Sequence, residues 1–166
     1  MQGILTIVRT FLAVGVAALF SAAIHAQTPP TGIYASSIPT RLGAGGRGTH
    51  SVQEGDVTRE FVSGVLVVVY WKDLEPTQGT RDWTLLDNEF DLADSYAKKV
   101  TLAVLNGPSA PAWLESAGAQ MFTYTFRGTP GVKMPVPWDP IYLNAWTDFV
   151  AALGQRYADR PTIALV

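Results

Sequence analysis

The sequence predicts an α/β protein built on a parallel sheet, forming the front part of a larger (β/α) domain. Three observations point there. Val65 to Tyr70 is an unbroken apolar run without polar alternation, the pattern of a strand covered on both faces. From Trp83 onward, apolar residues recur at steps of three or four until a second apolar run at Val100–Leu105. A long loop, a second helical pattern and an apolar stretch from Thr162 follow, so the order strand, helix, strand, loop, helix, strand implies βαβ crossovers.

The first 26 residues read as a secretory signal peptide. Arg9 is the only charge, Thr10–Ile24 is almost wholly apolar and small, and Ala26 offers a cleavage point. The apolar core of about 15 residues is short of the roughly 20 that span a bilayer, an uncleaved anchor being the alternative. Cleavage leaves residues 27–166, about 140 residues and enough for one modest domain. The mature product is expected to be secreted or periplasmic, with no membrane association after cleavage.

Composition removes several function classes. A net charge of −2 with scattered lysines and arginines gives no footprint for nucleic acid. The absence of cysteine excludes disulfides, zinc-thiolate sites and a Cys nucleophile. His25 lies in the signal peptide, so His50 would have to serve alone in any triad or His-based metal site. No metal and no cofactor are expected.

In chain order, Gly32–Ile38 is a short first strand. Arg41–Gly48 is a Gly-rich loop; it lacks the Lys-Ser/Thr ending of a phosphate loop and reads as a flexible connection. Trp71, Lys72, Asp73 and Glu75 crowd the carboxyl end of the Val65–Tyr70 strand, and Pro76 and Gly79 punctuate a turn. Ligands of parallel α/β folds bind at that end of the strands, so Trp71 is read as functional. Glu75 is read as structural, tying down the turn, and Asp73 as solvated. Asp82 can cap the next helix, or Thr84 can do so with Asp87 as a capping box. Trp83, Leu86, Phe90, Ala93 and Ala97 form that helix's stripe, ending near Lys98 and Lys99, where two cations suit the helix dipole. Its acidic residues, Asp87, Glu89, Asp91 and Asp94, are expected on a wet face. Asp139-Pro140 starts the second helix, a carboxylate cap followed by proline at the first position. Leu143, Trp146, Val150, Leu153 and Tyr157 are its expected buried face. The final strand halts at Val166 without a covering helix, so a truncated domain with exposed apolar edges is expected.

Between Leu105 and Trp138 lie about 30 residues, far more than the usual connection. They carry Trp113, Phe122, Tyr124, Phe126 and Trp138, with Asn106 at the root. Aromatic faces and amide or carboxylate groups match the mixed apolar and hydroxyl surface of a sugar. Phe122, Tyr124 and Phe126 alternate as in a hairpin strand expected to pack the loop onto the rim. Trp113 is either a helix-docking residue or a sugar platform. Glycosidic hydrolysis needs two carboxyl groups, one protonating the leaving oxygen and one attacking or activating water. No acidic residue sits at the tip of a buried strand, and Glu115 could belong to either the loop or a site.

Taken together, W-x-x-L-E-P-x-x-G and D-W-x-x-L-D across Trp71–Asp87, the Asn106-Gly107 strand end and P-A-W-L at Pro111–Leu114 resemble the amino-terminal half of the (β/α)8 glycoside hydrolases of the β-galactosidase-like type, family 42 and its neighbours in the large retaining clan. The resemblance covers roughly Gly32 to Val166. It implies a partial TIM barrel of about the first four βα units, a carbohydrate substrate, and Trp71, Asn106 and Trp113 near the sugar; Trp138, in the same aromatic loop, joins them as a candidate sugar contact. In the family the acid/base Glu follows the fourth strand and the nucleophile Glu the seventh, so no catalytic residue is assigned here and the chain by itself is expected to be inactive. A non-catalytic carbohydrate-binding or structural protein is the rival reading, and a (β/α) hydrolase of different chemistry a third.

Overall fold

The structure, a computed structural model, describes residues 29–36 and 52–166; the signal-peptide reading, the Gly-rich loop and His50 fall outside them. The described elements are β1 (Ile33–Ala35), α1 (Glu54–Val57), β2 (Val62–Tyr70), α2 (Trp71–Leu74), α3 (Thr84–Ser95), β3 (Lys99–Leu105), a 3-10 turn at Gly107–Ser109, α4 (Trp113–Ser116), β4 (Met121–Phe126), β5 (Thr129–Pro135), α5 (Pro140–Tyr157) and β6 (Ile163–Leu165). β1, β2, β3 and β6 form one parallel sheet in that order, and β4 and β5 form a separate antiparallel hairpin. The α/β fold with a parallel sheet is therefore as the sequence predicts.

The register β2–β3 sets Val65 beside Val100 and Val67 beside Leu102, so the branched side chains form rows on one face of the sheet. That face is buried under Leu86, Phe90 and Ala93 of α3 and Phe149, Leu153 and Tyr157 of α5. Enclosing a side chain such as Phe90 is worth about 1.5–3 kcal/mol, so this layer is the main cohesive element.

α3 starts where Asp82 Oδ1 accepts the Thr84 N–H at 2.9 Å, so of the two predicted caps Asp82 is the one formed. The helix ends at Ser95, earlier than predicted, because Ala97 adopts a left-handed backbone. Lys98 and Lys99 thus lie beyond the helix: the Lys98 ammonium binds the carbonyls of Arg59 and Val62, and Lys99 that of Pro161.

α5 opens as predicted on Asp139, whose Oδ1 accepts the N–H groups of Ile141 (2.9 Å) and Tyr142 (3.0 Å). Its buried face differs from the prediction. Tyr142, Phe149, Leu153 and Tyr157 are enclosed and Trp146 packs partly against them, whereas Leu143 and Val150 remain exposed. The helix is apolar on more than one side, so periodicity could not select the side facing the sheet.

The expected wet face of α3 is largely a polar seam with the end of α5. Asp87 accepts from Arg156 (2.6 Å) and the Tyr157 hydroxyl (2.8 Å), and Arg160 pairs with Asp91 and Asp94. Burial favours the neutral form of Asp87, but the bonds from Arg156 and Tyr157 outweigh it and hold the carboxyl below its ordinary value. Burial, reinforced by Asp87, pushes the Tyr157 phenol up to about 12. Glu89 turns inward, accepts the Val52 N–H at 2.5 Å, and is raised by burial. Among the described residues no helix is long and apolar enough to cross a membrane.

Candidate functional site

The carboxyl ends of β2 and β3 stand side by side, Tyr70 paired with Leu105, so the segments leaving them share one end of the sheet. They differ in how their aromatic residues are held.

At the exit of β2 the chain folds into a knot. Trp71 continues the row Val65, Val67, Val69 that faces the helices, and it is completely enclosed (0% exposed). Its ring centroid lies 5.1 Å from Trp146, 5.5 Å from Phe149, 6.1 Å from Trp113 and 6.2 Å from Tyr142. The indole N–H donates to Glu75 Oε2 at 3.0 Å. Glu75, only 3% exposed, also accepts the Gly79 N–H at Oε1 (2.8 Å), and its backbone carbonyl accepts the Trp113 indole N–H (3.0 Å). Arg81 supplies the counter-charge, its Nε 3.8 Å from Oε2, and reaches Asp148 of α5 with its other end (2.6 Å). Gly79 sits at φ +73°, a left-handed conformation that favours glycine and aims its N–H at the carboxylate. The motif W-x-x-L-E-P-x-x-G is therefore a self-satisfying scaffold.

This corrects the reading of Trp71 as a sugar-facing residue: in a strand covered on both sides, apolar character does not reveal which face looks toward the helices. Glu75 ties down the turn as expected. Trp113 takes the helix-docking alternative, half-buried against Trp71 with its N–H bound to the Glu75 carbonyl. Asp73 is exposed, as expected.

At the exit of β3, Asn106 is half-buried and its side chain makes no capping hydrogen bond to the 3-10 turn that follows. The long segment beyond it is organised: after α4, the hairpin β4–β5 rises from a base closed by the Val136 N–H on the Gln120 carbonyl (2.8 Å). Asp139 fastens this base to α5, its Oδ2 accepting the Gln120 N–H at 3.2 Å. Backbone hydrogen bonds, that from Tyr142 foremost, outweigh burial and hold the Asp139 carboxyl below its ordinary value. Phe122, Tyr124 and Phe126 alternate on β4 as predicted, but do not pack down as a core: Phe122 is 39% and Phe126 43% exposed. Trp138, between hairpin and α5, is 77% exposed. Glu115 bridges to Lys133 of β5 at 2.7 Å.

The surface at the carboxyl end thus presents an amide at Asn106 and exposed aromatic rings at Trp138 and along β4, a combination suited to a hydroxyl-rich ligand with apolar ring faces. Among the described residues no group of three or more His, Asp or Glu side chains could hold a metal ion. Arg81 was missed in the sequence, since its pairing with Glu75 has no local signature.

A parallel sheet with a helix layer on one face and long loops at its carboxyl ends is the arrangement found in (β/α) barrels. Comparison with solved structures agrees with that class. The cold-adapted beta-galactosidase from Rahnella sp. R3 matches with a TM-score of 0.50 and 21% identity, covering 61% of this chain and 16% of that one. The beta-galactosidase from the psychrophilic Marinomonas ef1 matches with a TM-score of 0.54 and 24% identity, covering 66% and 17%. The model of glycoside hydrolase family 42, described as beta-galactosidase, matches residues 59–166, and the chain belongs to that family. Among curated relatives it is 31% identical over 99 residues to a beta-galactosidase of Arthrobacter sp. and 30% identical over 121 residues to the beta-galactosidase BgaH of Haloferax lucentense. These alignments cover 57% and 67% of this chain but only 14% and 18% of the relatives.

Proposed function

We propose that this chain is the front part of a glycoside hydrolase that, in its complete form, cleaves β-galactosides by the retaining double displacement. Membership of the family, over residues 59–166, carries the reading. The geometry supports a division of labour within it. Asn106 and Trp138 contact the sugar, while Trp71 and Trp113 hold the floor behind them through Glu75.

The two catalytic carboxyl groups are proposed to come from sequence beyond Val166. Supporting this, Glu75 is enclosed by its own donors and Glu115 is bridged to Lys133, so neither is poised to protonate a leaving group. Export to the periplasm or medium is proposed on the Thr10–Ile24 apolar segment. A non-catalytic carbohydrate-binding role is the second reading, favoured by the exposed rings of β4 and Trp138.

The test has two parts. The purified chain is expected to bind galactose, followed by tryptophan fluorescence, and to release no nitrophenol from aryl β-galactosides. The genomic frame read past the Val166 codon is expected to continue and to encode an Asn-Glu pair after the fourth strand. Turnover by the chain itself that survives Glu75→Gln and Glu115→Gln would overturn the placement of the catalytic pair. A stop codon, together with saturable sugar binding, would leave the binding-protein reading in its place.

A further inference from the structure

We infer that the aromatic face of the β4–β5 hairpin is an extended subsite that binds a glycan chain leaving the barrel mouth; this rests on the carbohydrate reading above. In an antiparallel pair, residues directly opposite each other project to the same side. Phe122 is opposite Met134 and Tyr124 opposite Val132, so one face of the hairpin carries Phe122, Tyr124, Met134 and Val132. Thr123 and Lys133 belong to the other face, where Lys133 reaches Glu115 of α4.

The aromatic face is continuous with the strand exit. The Met134 methyl lies so close over Gly107 that a Cβ there would stand 3.3 Å from it, directly after Asn106. From that point the rings run outward in single file, Phe122 to Tyr124 at 5.7 Å and Tyr124 to Phe126 at 6.0 Å between centroids. Successive rings are inclined by 38° and 61°, the second pair meeting edge to face. The Arg127 guanidinium closes the row, 5.3 Å from the Phe126 centroid, and forms no salt bridge among the described residues.

The half-exposed rings form an apolar strip one ring wide along the hairpin, and the terminal guanidinium offers donors to hydroxyl oxygens. A globular protein partner would be expected to need a broader apolar patch than one ring's width. The continuity with Asn106 instead selects a linear ligand that begins at the mouth, a β-linked oligosaccharide longer than a disaccharide.

The experiment is calorimetric titration of the full chain with galactose and with β-linked galacto-oligosaccharides of increasing length. Affinity is expected to rise roughly tenfold from disaccharide to tetrasaccharide, about the gain of one good contact. In Phe122→Ala/Phe126→Ala that rise is lost while galactose binding is unchanged, and Phe122→Ala/Phe126→Trp, which keeps a flat face at the outer position, retains part of it. A length dependence that persists in the double variant with an unchanged circular dichroism spectrum overturns the inference. So does wild-type affinity that is independent of length. Failure to bind galactose itself, with a cello-oligosaccharide ladder still showing the length effect, would instead refute the galactoside reading and leave the subsite standing.

Discussion

The exits of β2 and β3 are neighbours in one sheet and both carry aromatic residues, yet they handle them in opposite ways. After β2, Trp71 has no exposed surface and its N–H is held by a buried carboxylate; after β3, Phe122, Phe126 and Trp138 lie open. The difference lies in the partners. Glu75 accepts from the Trp71 indole and the Gly79 amide with Arg81 as its counter-charge, and Trp146 and Phe149 of α5 complete the enclosure of Trp71. The hairpin has a hydrogen-bonded backbone ladder, but among the described residues no layer encloses its rings. Aromatic density at the end of a strand therefore leaves an open apolar surface only where the rings find no internal partner and no helix covers them.

Three measurements put this contrast to the test. The largest effect is expected for Trp71→Ala, which empties the centre of the aromatic cluster and should cost about 3–5 kcal/mol in urea denaturation. Trp138→Ala, at an exposed position, should stay within about 0.5 kcal/mol. Equal losses at the two sites would erase the distinction. Next, Glu75→Ala should cost about 3 kcal/mol, because it leaves the Trp71 and Gly79 donors unsatisfied and Arg81 without its buried counter-charge. Glu75→Gln, which retains an acceptor oxygen, should cost less, and a larger loss for Gln than for Ala would count against the knot.

The smallest effect concerns the hairpin base. Asp139 titrates lower in the fold than its ordinary value of 3.8, so the clip is fully formed above that value and is lost as pH falls through the folded one. Protection of the Gln120, Ile141 and Tyr142 amides, corrected for intrinsic exchange, should therefore decline only below pH 3.8. Loss of protection at higher pH would show that another group holds the base.

Much of the scaffold was legible in the residues. The apolar runs of β2 and β3 announced buried parallel strands, and Asp139-Pro140 marked the start of α5 to the residue, because a carboxylate cap and a fixed φ are local chemistry. The role of Glu75 was legible for the same reason, since its amide partner is four residues away. What failed depended on distant packing. The face of α5 that meets the sheet is chosen by Trp71 and Trp83, far away in sequence, and Leu143 and Val150 were misplaced because the helix is apolar on both flanks. Trp71 was misread for a related reason: its cover comes from Trp146 and Phe149, and nothing in the Trp71–Gly79 motif reports their arrival. The hairpin was seen in the alternation of Phe122, Tyr124 and Phe126, but alternation does not tell whether a second layer will cover them.

The single carboxylate of Asp139 has a consequence for how such proteins can diversify. By binding the Gln120 amide with one oxygen and the first turn of α5 with the other, it makes residues 121–135 an interchangeable cassette whose two ends are pinned independently of what lies between. A longer, shorter or differently decorated ribbon could be inserted there while the barrel wall kept its register. The length and decoration of this ribbon could then evolve separately from the parallel sheet that carries it.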